Sequence, residues 1–249
     1  MLAKLPYLLH PGNKEVFLRR IELIYPYPDE KFLFIDRAYR TAKDAFREVW
    51  RDDNLTRYFE HLRIVTLIVV SHLRVIDANV IASALLHDIV EDISGWTVRR
   101  VEEEFGTPVG KLIAYLSKPP LSEFGGDKEA RNHAYHRRFM NAPREFFYVK
   151  LADRLHNIVT LGAWPLEKQK AKIIETRRYY MPYAEREKIL IHELEEAMAA
   201  IEATWSTTNV IDMGTHASAI QGARIIVPDA RDLLAMSTPT ATGPVAQPE

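Results

Sequence analysis

From Lys31 onward, apolar residues recur at intervals of three and four. Phe32, Ile35, Tyr39, Ala42, Phe46 and Val49 form one such stripe, which predicts an amphipathic helix. A second helix, rich in β-branched residues, is predicted over His61 to His72. A third, from Val80 to Val90, is apolar on nearly every face, which places it at the centre of a core. Thr97 caps a short helix carrying Val98, Val101 and Phe105, ended by Gly106. Thr107 then serves as an N-cap, with Pro108 opening Val109 to Leu116. Helical patterns follow over Asp127 to Met140, from Pro143 onward, from Pro165 onward, and over Ile189 to Ala203. Before residue 205 no segment alternates as a strand does. Ahead of these helices the chain is irregular. Pro6, Pro11, Gly12, Pro26 and Pro28 punctuate a short piece, Glu15 to Ile24, that reads as helix or strand. After Trp205 the period is lost. Arg224 to Pro228 has the makings of a short strand, and the Thr/Pro/Ala-rich Ser237 to Glu249 reads as disordered. The expectation is an all-α chain in three parts: an irregular, loose amino-terminal extension (1–30), one helical domain (31–203) and a loose carboxy-terminal extension (204–249).

Composition narrows the chemistry. The 249 residues are 47% hydrophobic and 27% charged, enough for a substantial core. Lys and Arg number 33 and Asp and Glu 34, so the net charge of −1 argues against bulk binding to nucleic acid or to an anionic membrane. The absence of cysteine excludes disulfides, thiolate metal sites and thiol nucleophiles. Ile64 to Val70 is too short to span a bilayer, and Lys4, Pro6, His10 and Pro11 break any apolar leader. A cytoplasmic protein is expected, with a homo-oligomer left open.

Four places can carry chemistry. His87-Asp88 closes the greasiest helix, where an ionised carboxylate is costly unless paired or metal-bound. The same dipeptide also reads as an ordinary helix-end carboxylate beside a satisfied histidine. Glu91 and Asp92 follow within one turn, and a cation would offset their repulsion with Asp88. Lys150, Asp153 and Asn157 form a stripe at spacing three and four, which by itself reads equally as a surface ion pair. His61 begins the apolar second helix. His10, His72, His133, His136, His156, His192 and His216 compete with it as structural or surface histidines. Taken together, two His and two Asp make a nitrogen and oxygen donor set suited to Mn²⁺, with Fe²⁺ or Zn²⁺ as alternatives. Such an ion acidifies water and polarises a phosphoryl oxygen.

At Ala82-Ser-Ala-Leu-Leu-His-Asp-Ile-Val-Glu-Asp92, Glu104-Phe-Gly-Thr-Pro-Val-Gly-Lys-Leu-Ile113 and Val149-Lys-Leu-Ala-Asp-Arg-Leu-His-Asn-Ile-Val-Thr-Leu161, the chain resembles the HD superfamily of metal-dependent phosphohydrolases. Within it, the likeness is to the hydrolase domain of RelA/SpoT-type alarmone proteins and their small stand-alone hydrolases. It spans about Lys31 to Lys188. The resemblance implies an all-α HD-domain bundle, Mn²⁺, and removal of the 3′-pyrophosphate from guanosine tetra- or pentaphosphate (ppGpp, pppGpp). It implies His61, His87, Asp88 and Asp153 as metal ligands and Glu91 with Asp92 as the catalytic pair. Asn157 and Thr160 match nucleotide-contacting positions, and Lys150 is implied to order Asp153 or the phosphates. The stretch before His61 departs from the family pattern. Tyr58 keeps its place, but the usual glycine and prolines are missing, and Asp52 and Asp53 stand where basic residues meet the base. Arg51 or Arg57 is the substitute this chain offers. Two other readings are another nucleotide substrate, such as an adenine alarmone, and a non-catalytic nucleotide-binding module.

Overall fold

The computed structural model describes residues 2, 5–8, 12–51 and 56–211, with backbone alone for 206–211. The expected strand at Arg224 to Pro228 and the disordered Ser237 to Glu249 lie outside the described residues. Among the described residues the architecture is helical, with one isolated antiparallel bridge, Trp50 to Arg57. No helix there is long and apolar enough to cross a membrane.

The amino-terminal piece resolves as helix. Asn13 accepts the Val16 N–H and caps α1 (Lys14–Glu22). Phe17 and Ile21 of α1, with Leu5 and Leu8 of the preceding turn, are buried in the core. The expectation of a loose amino-terminal segment therefore gives way here, because these apolar side chains gain more from burial than the chain loses in freedom, at about 1.5–3 kcal/mol for each large one.

α2 (Glu30–Ala45) follows the predicted stripe but stops before it ends. Phe46 is buried as the C-cap, and Val49 lies in the turn beyond. α3 (Tyr58–Leu67) runs on through a π-helical turn (Ile68–His72). α4 (Ala78–Leu86) is capped by Asp77 and buries every residue but Asn79. It packs among α2, α3, α7 (Thr107–Leu116) and α9 (Arg144–Val159), the central place that its apolar faces predict. The helix does not reach Val90. At Asp88 the backbone turns to φ −103°, ψ 0°, and a separate short helix, α5 (Ile89–Asp92), begins.

α6 (Val98–Phe105) is capped by Thr97, as expected, and Gly106 at φ 87° ends it. Gly106, not Thr107, then takes the N-cap position of α7. Gly110 lets α6 and α7 approach: a Cβ there would meet the Glu102 Cβ at 2.8 Å. α8 (Lys128–Arg137), α10 (Leu166–Tyr179), α11 (Met181–Glu187) and α12 (Ile191–Ile211) complete the set. α9 lies against α3, α4, α7, α10 and α11, so it buries Lys150, Asp153, Arg154 and His156 as well as its apolar residues. Burying so many polar groups on one helix requires partners for them.

Candidate metal centre and cleft

The break between α4 and α5 aims two donors at one point. His87 Nδ1 lies 2.9 Å from the Ala84 carbonyl and donates to it, so in the neutral ring Nε2 is the nitrogen left without a proton. That Nε2 is buried and has no hydrogen-bond partner. It faces the gap between Asp88 Oδ2, at 3.0 Å, and Asp153 Oδ1, at 3.8 Å. From α3, His61 Nε2 reaches the same gap, 3.2 Å from Asp153 Oδ1 and 3.7 Å from Asp88 Oδ2. Ligands at right angles about an ion roughly 2.1 Å away would sit about 3.0 Å apart, so this spacing suits a divalent metal. Donor atoms of His61, His87 and Asp88 lie within 4.8 Å of one another, as a metal-holding group requires. Asp153 stands outside that group of three, but its Oδ1 faces both imidazoles.

The electrostatics point the same way. Burial pushes His87 down, but the charges of Asp88 and Asp153 outweigh it and hold the ring up at about 10. Two carboxylates thus create a strong demand for positive charge at His87, which a cation would meet. Burial penalises the charge on Asp88 and Asp153 too. His87 more than compensates at Asp88, and Lys150 at Asp153, and both carboxyls fall below the usual range. His61 is pushed down by its burial, only partly offset by Asp153.

The surrounding residues hold the ligands. Lys150 Nζ donates to Asp153 Oδ2 at 2.9 Å, and Asn157 Nδ2 donates to Asp153 Oδ1. Tyr58 donates its hydroxyl to Asp88 Oδ2 at 2.8 Å while its ring stacks on Phe46. Glu91 and Asp92 diverge. Glu91 accepts the Lys118 backbone N–H at 2.8 Å and faces the Lys118 ammonium at 3.4 Å. Asp92 reaches solvent, yet the part of its carboxyl held against the protein, together with the Asp88 charge, raises it to about 6.

Beside the centre opens a cleft of about 1330 Å³ that Asp153, Asn157, Thr160, Lys150 and Tyr58 help to line. Nine Lys and Arg line it against three Asp and Glu, an excess of positive charge in a chain whose net charge is −1. Arg51 occupies its wall and donates to Asn157 Oδ1 at 3.1 Å and Thr160 Oγ1 at 3.2 Å. Arg57 lies over the Trp50 ring and is absent from the lining, so of the two substitutes Arg51 is the one that enters the cleft. Asp52 and Asp53 lie outside the described residues. Three features were not singled out from sequence: the loop residue Lys118, the buried Arg154–Glu175 pair at 3.1 Å, and His156 against His61. Lys-Pro-Pro after a helix is a faint cue for the first. The others depend on partners distant in sequence.

An HD domain family model matches residues 38–190. The chain belongs to the HD domain family. A divalent ion is what this family implies, and the donor set of this HD domain suits one. The HD domain is also similar to the bifunctional (p)ppGpp synthase/hydrolase SpoT of Escherichia coli K12, with 32% identity over 182 residues, 70% of this chain and 25% of that protein. A guanosine-3′,5′-bis(diphosphate) 3′-pyrophosphohydrolase of Haemophilus influenzae is 30% identical over 159 residues, 62% of this chain and 23% of its own length. This chain spans about a quarter of the length of these relatives. Among solved structures, a metazoan orthologue of SpoT, described as hydrolysing ppGpp and acting in starvation responses, superposes with a TM-score of 0.59. It is 22% identical, and the match covers 70% of this chain and 97% of that one. At that identity the likeness establishes the all-α HD fold.

Proposed function

We propose that the chain is a Mn²⁺-dependent pyrophosphohydrolase that removes the 3′-pyrophosphate of ppGpp and pppGpp. The observation that carries this reading is the convergence of His61, His87 and Asp88 on one gap, with Asp153 Oδ1 facing both imidazoles and itself lining a cleft crowded with cations. The activities named for the SpoT-type relatives support it. Hydrolysis adds water across the bond between the 3′ oxygen and phosphorus, giving GDP and pyrophosphate from ppGpp. The bound ion supplies Lewis acidity and a water of lowered pKa. His61, His87, Asp88 and Asp153 hold that ion. Asp92, poised near 6, accepts the proton of the attacking water. Glu91, fixed by Lys118, is its partner on the opposite branch of α5. Asn157, Thr160 and Arg51 bind the nucleoside, and the remaining cleft cations take the phosphates. Tyr58 and Lys150 act by holding Asp88 and Asp153. Arg57 stands outside the cleft lining, over the Trp50 ring.

Incubating the purified chain with ppGpp and Mn²⁺ should release GDP and pyrophosphate in equal amounts. A nucleotide panel including an adenine alarmone checks the base: a faster rate on another member would displace guanine. Binding without turnover across the whole panel would make the chain a nucleotide-binding module.

A further inference from the structure

His61 has a second buried histidine at its back. Its Nδ1 lies 2.6 Å from Nδ1 of His156, and the two rings lean together at 28° with centroids 4.9 Å apart. Both side chains are almost fully enclosed, at 1% and 3% exposure. Neither ring has solvent to satisfy it, so one proton must be shared between the two Nδ1 atoms. The direction is set elsewhere. The backbone of Leu8, in the 3₁₀ turn Pro6–Leu8 that packs on α3, also faces His156 and favours a proton on it. A backbone carbonyl only accepts. The proton of His156 therefore sits on the nitrogen facing Leu8, and its Nδ1 is left as an acceptor. In the neutral ring His61 then donates from Nδ1, which leaves Nε2, facing Asp88 and Asp153, as the nitrogen open to an ion. His87, once neutral, reaches the same state through the Ala84 carbonyl of its own helix. His61 has no such local acceptor and borrows one from α9.

We infer that His156 is a positioning residue that fixes the tautomer and orientation of His61, linking the amino-terminal turn at Leu8 to the metal centre through two imidazoles. The inference rests on the reading of His61 as a metal ligand. Outer partners of ligating histidines typically change metal affinity by about 10–100-fold. The histidine at 156 thus serves the ion without touching it.

Two measurements on the full chain test this without any nucleotide. The first is the Mn²⁺ dissociation constant, read by competition with a chelating dye, for the parent, His156→Phe and His156→Asn. His156→Phe fills the space but removes the acceptor and should weaken binding about 10-fold or more. His156→Asn keeps an acceptor near the Nδ1 position and should stay within a few-fold of the parent. The second is the tautomer of His61, read by long-range ¹H–¹⁵N NMR of the imidazoles in the metal-free parent, where Nδ1–H is expected. That reading stands even if His156→Phe fails to fold. An Nε2–H tautomer in the parent, or an unchanged Mn²⁺ affinity in folded His156→Phe, overturns the relay. Full ppGpp turnover alongside either result overturns the relay alone and leaves the proposed reaction standing. Weakened Mn²⁺ binding in a chain that turns over no nucleotide supports the relay and removes the reaction.

Discussion

An imidazole takes a metal only through a nitrogen that carries no proton, so the centre depends on where two protons sit. At His87 a carbonyl one helical turn back decides it. At His61 the decision is made across the core. Asp88 joins the two rings on one side, and Asp88→Asn should lower kcat/KM on ppGpp by at least about 10³-fold while the circular dichroism stays unchanged, since it removes a ligand charge rather than a packed side chain. In the proposed reaction Asp92 sets the pH dependence. With its carboxyl at about 6, the ionised form that accepts a proton grows as pH rises, so kcat should climb between pH 5 and 7 and level off above. Asp92→Asn should abolish that limb in a pH–rate profile. The linkage to stability has the opposite sign. The fold raises Asp92 above its ordinary 3.8, so its contribution to stability is present below that value and is lost as pH rises through about 6. His61, His87, Asp88 and Asp153 each lie beside an apolar stretch, which by itself left ordinary readings open; the likeness to the HD phosphohydrolases is what gathered them into one ligand set. His156 stood in just such a stretch too, but its meaning lies in a partner 95 residues away, which no local pattern records.

At the level of elements, periodicity foretold most helices and failed where the chain changes direction without changing character. Leu85, Leu86, Ile89 and Val90 keep helical spacing across the break between α4 and α5, so the hydrophobic stripe showed no end at His87. Yet that break turns His87 and Asp88 toward one point and sends Glu91 and Asp92 to different partners. The π-helical turn after α3 is invisible for a like reason, since Ile68-Val-Val70 suits either winding. Gly110 is a case where the sequence gives the residue but not its purpose. Its missing side chain admits Glu102, whose Cβ and Cα would sit 2.8 Å and 3.1 Å from an added Cβ. Gly110→Ala should therefore cost about 1–3 kcal/mol, visible as a lower denaturation midpoint. Its effect on kcat should be slight, because α6 carries none of the proposed ligands.

Across the whole molecule the charge is nearly balanced, but its distribution is not. The cleft gathers nine cations against three acids beside the metal centre. A polyanionic substrate would be drawn to it through water, and salt would screen that attraction. Raising ionic strength from about 0.05 to 0.5 M should raise KM for ppGpp several-fold and leave kcat much less affected. A KM indifferent to salt would mean that the cleft cations are spent on internal pairs such as Arg154–Glu175. The amino-terminal turn has a practical consequence for anyone who trims this protein. The family match begins at residue 38, but Leu8, Phe17 and Ile21 lie buried beneath it. A fragment cut to 38–190 would uncover the ring of Tyr39 that Phe17 packs against and take the Leu8 backbone away from His156. Such a fragment should come from the column poor in metal and quick to aggregate, and its metal-to-protein ratio against that of the intact chain would show how far the folded unit extends past the domain that bears its family's name.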